Sequence, residues 1–228
     1  SAASDVYKRQ PYSHLTIQFI EKFKDEYSID FIPILVGDEN PETLHEPDLY
    51  RKYCLEDVIR ISPYYGIDFN GTSYPQRTLV NKANSILAST NSDQFINVAK
   101  KVSTHLWNQD EIELSNMQKD YPCSMDEVSA ILARGNQIRN ESGYYFGSAF
   151  YYEKELYWGV DRLGHLEERL IELEAKKTPN NELIAPLLLN APDRLDFGKN
   201  FNLTYYPSLN SPYTFISAKR VRELRENY

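Results

Sequence analysis

Chemistry needs particular side chains at particular spacings, and this chain offers few candidates. Its two cysteines, Cys54 and Cys123, lie far apart, form no CxxC and have no histidine at ligand spacing, which removes structural zinc and a dithiol redox motif. The four histidines, His14, His45, His105 and His165, are scattered in the same way, so no metal is expected. What remains is a short pattern at two predicted helix starts. Gln10-Pro11-Tyr12-Ser13-His14 opens the first, and Ser211-Pro212-Tyr213-Thr214 opens another one domain length later. Proline suits the first helical position because its missing N–H has no partner there anyway. Continuing in register, Ile20 meets Val221, Phe23 meets Leu224 and Tyr27 meets Tyr228, so both segments carry one apolar helical stripe. The pattern predicts two tandem copies of one fold, the second truncated.

The elements that must position these residues are legible in outline. After the first helix, Ile29–Val36 is a β-branched run closed by Gly37-Asp38, which predicts a buried strand. Helical spacing continues over 48–61, 76–90, 92–106, 111–119 and 125–134, with Ser124 and Glu127 forming a capping box. Ser148–Tyr152 and Leu156–Trp158, joined by Glu153-Lys154-Glu155, predict a hairpin. A last helix runs to about Lys176, with Asp161 placed to cap it. A strand-helix-strand unit, a helical insertion over about 45–140, a hairpin and a helix outline an α/β thioredoxin-like fold with an inserted all-helical subdomain over 11–176.

Length and charge bound the rest. A chain of 228 residues with 41% apolar side chains can bury one ordinary core. Its net charge of −8 argues against a nucleic-acid partner, and no apolar run is long enough to span a membrane. The chain starts without Met and ends inside a helical pattern, so it reads as a fragment. Residues 1–10 share no character with the body of the chain and are expected to be a non-native or disordered leader. The segment 177–199, rich in Pro and Asn, reads as a linker, and 200–228 as the first strand and helix of the second copy. The first copy then lacks its own first strand, which belongs inside the sheet. Either Asp5–Lys8 serves poorly there or Phe201–Tyr206 folds back, the latter being the preferred expectation.

At four places the sequence resembles a known family. Pro11-Tyr12-Ser13-His14-Leu15, Lys52–Arg60, Tyr74-Pro75 and above all Leu156-Tyr157-Trp158-Gly159-Val160-Asp161-Arg162-Leu163 are similar to the DsbA-like family of 2-hydroxychromene-2-carboxylate isomerases and kappa-class glutathione transferases. The resemblance implies glutathione as cofactor and a small aromatic or electrophilic substrate. The family's serine before Pro-Tyr holds the thiolate at the helix N-terminus, where N–H groups and the dipole favour the anion. By that resemblance Ser211 takes the role in the second copy. In the first copy Gln10 stands there, and Ser13 is the nearest hydroxyl. Tyr12, Ser148 and Ala149 flank the implied glutathione site, Asp161 and Arg162 receive its γ-glutamyl end, and His14 and Lys52 are the substrate candidates, with Tyr50 an alternative register for Lys52 and an exposed first-turn residue the bland reading of His14. The chain departs from the family at Gln10 and at Phe146–Phe150, which lacks the superfamily's cis-proline. A catalytically degenerate module scaffolding an active second copy is therefore the alternative reading. The resemblance also implies a cytoplasmic or organelle-matrix protein and admits a homodimer.

Overall fold

A computed structural model describes residues 2–6, 10–38, 46–144, 146–180, 182–185 and 204–227. The chain divides into two compact units, 1–190 and 191–228.

The first unit is built on a four-stranded sheet of order β2-β1-β3-β4. Strand β1 (Ala2–Val6) leads into helix α1 (Pro11–Glu26) and returns as β2 (Phe31–Leu35), parallel to β1 with Ala2 opposite Phe31 and Val6 opposite Leu35. Five helices come next: α2 (Pro47–Ile61), continued by a 3-10 turn at Ser62–Tyr65, then α3 (Arg77–Ser89), α4 (Phe95–Trp107), α5 (Glu111–Asp120) and α6 (Met125–Glu141). The chain re-enters the sheet as the hairpin β3 (Ala149–Tyr152) and β4 (Glu155–Trp158), with β3 antiparallel to β1, and closes with α7 (Val160–Glu172).

The central place of β1 corrects the expectation for the N-terminal residues. Ala2–Val6 pair with β2 on one side and β3 on the other, so this part of the decapeptide is sheet, not a disordered leader. The fold-back of Phe201–Tyr206 is not what fills the gap. Residues 204–206 form no strand, and 201–203 lie outside the described residues. The physical reason is that a central strand is stabilised by its two ladders more than by its own propensity, so Ala-Ala-Ser-Asp-Val suffices once both neighbours are placed.

Phe150 is buried and meets Phe31 edge-on at 6.1 Å, within a core shared with Leu15, Ile20 and Phe23 of α1 and Leu163, Leu166 and Leu170 of α7. Helix α6 packs on β2 so closely that a Cβ at Gly135 would stand 2.0 Å from the Leu35 carbonyl oxygen. From α6, Asn136 Oδ1 accepts from Gly37 N at 2.8 Å, and Arg139 donates to the Gly37 carbonyl at 3.2 Å. Ser124 and Glu127 form the capping box at the start of α6.

Two boundaries differ from expectation. Gly159, at φ +78°, and not Asp161, occupies the N-cap of α7, because the sharp exit from β4 needs a left-handed residue. Residues 177–180 and 182–185 are not linker but a strap on the body of the unit, while 186–199 of the expected linker lie outside the described residues. Lys177 N donates to Glu26 O at 2.8 Å, Ile184 N and Ala185 N donate to the Glu167 carboxylate at 2.8 and 2.7 Å, and Ala185 is fully buried.

In the second unit, α8 (Pro212–Asn227) begins after Ser211, whose N–H donates to Ser208 O at 3.0 Å. Tyr213, Phe215 and Ile216 are exposed. Among the described residues no helix is long and apolar enough to cross a membrane, and no three His, Cys, Asp or Glu side chains are grouped to hold a metal.

Candidate functional site

Three elements converge on the N-terminus of α1: the start of α2, the segment before β3 and the turn into α7. Gln10 is the N-cap, in extended conformation, and its side chain caps no N–H of the helix. Pro11 takes the first helical position, so the first turn presents donors with nothing from the N-cap side chain upon them. Gln10 is only 2% exposed; its Nε2 donates to Tyr50 Oη at 3.1 Å, while its Oε1 is buried without a hydrogen-bond partner. Three residues on, Ser13 N donates to Gln10 O at 3.0 Å, and the Ser13 hydroxyl is also buried without a partner. Buried polar atoms are almost always paired, so two orphans within one helical turn single out this helix start.

Tyr12 points to the other side. Its hydroxyl donates to Asp57 of α2 at 2.8 Å, and its ring meets Trp158 edge-on at 5.7 Å. Burial, and then the Asp57 hydrogen bond, hold its phenol far above the usual range, so it stays a donor. Tyr65 is pushed up to about 12 by burial, with the Asp161 charge adding to it.

Beneath α1, Ser148 is fully buried at φ +64°, and its hydroxyl pairs with Thr16 Oγ1 at 3.1 Å. Its carbonyl accepts from Gly159 N at 3.0 Å. No cis peptide bond occurs among the described residues, and none is needed here: the left-handed Ser148 makes the turn into β3. Ala149 begins β3 opposite Trp158. Asp161 and Arg162 stand in the first turn of α7, their side chains 3.7 Å apart and more than half exposed. Desolvation raises the Asp161 carboxyl above its ordinary value, with Asp57 adding and Arg162 opposing.

The structure therefore gathers Gln10, Tyr12, Ser13, Ser148, Ala149 and Asp161-Arg162 around one helix start. The other candidates stand elsewhere. His14 is not an exposed first-turn residue but 4% exposed, its Nδ1 3.0 Å from Ser103 Oγ of α4 and its ring 5.4 Å from Phe69. Lys52 is exposed and pairs with Glu56 at 3.9 Å along α2. Tyr50, at the alternative register, is the α2 residue that reaches Gln10. Ser211 belongs to the second unit.

One grouping at the site is visible in the sequence only as separate residues. The ring of Tyr50 stacks on Phe146 at 5.5 Å, and Phe146 stacks on Trp158 at 5.4 Å, with interplanar angles of 22° and 25°. Trp158 in turn abuts Tyr12, so an aromatic arch runs from Gln10 through Tyr50, Phe146 and Trp158 back to Tyr12. These residues are too far apart in the chain for any local pattern to link them.

The donor set fits glutathione in part. A thiol sulfur suits the first turn of α1 and the Ser13 hydroxyl, and an ammonium suits Asp161. The Ser148 carbonyl already accepts from Gly159 N, which leaves one lone pair for a further donor.

No protein-family model and no curated protein matches the chain. Among solved structures it is similar to 2-hydroxychromene-2-carboxylate isomerase, with a TM-score of 0.54 and 17% identity over 75% of this chain and 95% of that one. This likeness establishes the thioredoxin-like α/β fold with its helical insertion.

Proposed function

We propose that the first unit is a glutathione-dependent isomerase or transferase acting on a small aromatic or electrophilic substrate. The observation that carries this reading is the pair of buried, unpartnered side-chain oxygens, Gln10 Oε1 and Ser13 Oγ, at the positive end of α1. Ser13 is the hydroxyl that donates to the glutathione sulfur, while the first-turn N–H groups favour its thiolate. Glutathione supplies the nucleophilic sulfur when bound. Asp161 receives its ammonium, while Tyr12, kept protonated by burial and by the bond its one O–H makes to Asp57, ties α2 to the start of α1.

Isothermal titration of the whole chain with glutathione tests the reading: binding at millimolar concentration or tighter is expected, and none refutes it. Asp161→Asn is expected to weaken that binding by about tenfold or more, the scale of one charge-assisted hydrogen bond. Because burial raises the Asp161 pKa above its ordinary value, binding should weaken as pH falls through it, and the variant should lose this dependence.

A second reading has its own support. Gln10 is almost wholly covered and tied to Tyr50, as a closed, non-catalytic helix start would be. On this reading the first unit is a degenerate thioredoxin-like module, and Ser211, preceding α8, is the thiolate-binding hydroxyl of a second copy beginning near residue 200. Ser211→Ala abolishing glutathione binding while Ser13→Ala leaves it intact would select this reading.

A further inference from the structure

Arg139 of α6 is a cation that folding almost seals off from water, at 4% exposure. Its Nη1 donates to the Gly37 carbonyl at 3.2 Å and its Nη2 to the Asp38 carbonyl at 3.4 Å, while its Nε is buried and has no acceptor. Carbonyl dipoles satisfy N–H groups but do not cancel a charge, and a buried charge is ordinarily paired. Among the described residues Arg139 makes no ion pair, and the Asp38 carboxylate is taken by Arg77 instead. A guanidinium receives a carboxylate at two points, through two neighbouring nitrogens, and at Arg139 one of the three nitrogens is still open.

A cavity of about 240 Å³ adjoins this cation, walled by Ile34 of β2, Ile138 and Arg139 of α6, Ala149 and Tyr151 of β3 and Leu156 of β4. It lies on the α6 side of the sheet, away from the start of α1. Ala149 and Tyr151 flank Phe150, which faces the core shared with α1 and α7, and Tyr151 pairs across the hairpin with Leu156. The wall is mostly aliphatic, so the ligand it suits has an apolar body. Its volume is below the ~300 Å³ at which pockets for drug-sized molecules begin, so that ligand is small. Glu141 and Ser142 complete the wall. The Ser142 hydroxyl is spent on Arg139 O at 2.6 Å. Glu141 is exposed, with its Oε1 accepting from Gln137 Nε2 at 2.8 Å, and its charge disfavours a second negative group on the ligand.

We propose that this cavity is a second binding site, separate from the start of α1, and that it takes a small aliphatic monocarboxylate. The ligand's carboxylate pairs with Arg139 through Nε and one Nη, and its chain lies against Ile34, Ile138, Tyr151 and Leu156. The ligand then supplies the counter-charge that the chain itself leaves out. The site stands whether or not the glutathione reading holds.

The test uses the whole chain with sodium octanoate as probe and 1-octanol as its uncharged counterpart, both by isothermal titration. The wild type is expected to bind octanoate about ten- to a hundredfold more tightly than 1-octanol, the scale of a hydrogen bond between charged groups. Arg139→Met, which keeps an unbranched stem without the charge, should lose that preference. Leu156→Trp, which fills the cavity from the edge strand and leaves Arg139 in place, should weaken octanoate binding by about tenfold or more, and serves if the Arg139 variant does not fold. Glutathione should not displace octanoate, because the start of α1 lies on the other side of the sheet. Asp5 stands opposite Ile34 in the ladder of β1 with β2, and Asp5→Asn should bind octanoate no more weakly than the wild type. Equal binding of the two probes by the wild type, octanoate binding unchanged in both Arg139→Met and Leu156→Trp, displacement of octanoate by glutathione, or octanoate binding that appears only in Asp5→Asn overturns the proposal.

Discussion

The far end of the strap, Ile184 and Ala185, is held by one carboxylate, which makes Glu167→Ala an informative perturbation of this fold. Glu167 is fully buried in the middle of α7. Its Oε1 accepts from the Tyr27 hydroxyl at 2.8 Å and from Ile184 N at 2.8 Å, and its Oε2 accepts from Ala185 N at 2.7 Å. Removing the carboxylate leaves three buried donors without an acceptor. Each such bond to a charged group contributes about 1.5–3 kcal/mol, while the burial of the charge, which raises the Glu167 pKa, works against them. Leaving each donor unpaired costs about 1–3 kcal/mol, and relief of the buried charge offsets part of it, so the net loss is about 3–5 kcal/mol. For a chain of this size that is a fall in Tm of about 6–20 °C. Urea unfolding monitored by circular dichroism measures the loss, and amide hydrogen exchange locates it, since Ile184 and Ala185 should lose protection before α1 does. A loss below about 1 kcal/mol, or unchanged protection at Ile184 and Ala185, would refute the view that Glu167 holds the strap.

Two further outcomes are expected. Gly135→Ala drives a methyl group to 2.0 Å from the Leu35 carbonyl, and since backbone cannot step aside as a side chain can, the cost is about 1–3 kcal/mol, read as a lowered urea midpoint; an unchanged midpoint would show that α6 shifts freely on β2. Tyr65 titrates near 12 in the fold, so the folded chain holds its proton more tightly than the unfolded chain does. Stability should therefore be full below about pH 10 and fall as pH rises from there through about 12, and Tyr65→Phe should flatten that slope in urea unfolding curves taken across the range.

Local chemistry makes much of this fold legible in the sequence. The capping box at Ser124 and Glu127, the hairpin around Glu153–Glu155 and the Pro11 helix start each rest on residues within a few positions of one another. What was missed depends on distant partners. Ala2–Val6 carries no strand pattern and becomes a strand through β2 and β3. The strap at 177–180 and 182–185 looks like linker because it opens the polar, Asn- and Pro-containing stretch 177–199, whereas its far end attaches to Glu167 on a helix that precedes it. At the site, Gln10, Tyr12, Ser13, Ser148 and Asp161 were visible as individual residues, but the arch of Tyr50, Phe146 and Trp158 joins three segments that only the topology brings together.

The position of β1 also fixes the order in which this protein can be made. Its parallel partner β2 emerges soon after it, but its antiparallel partner β3 appears only once the whole helical block has been synthesised. Contacts of such high sequence separation form slowly, because the intervening chain must be ordered before the pairing repays it. Until β3 arrives, the nascent β1-α1-β2 unit exposes the unpaired backbone of β1 to any other extended chain. Slower translation or lower temperature during synthesis should therefore raise the soluble yield of this chain, and the losses at full speed should be aggregates made by that one open ladder.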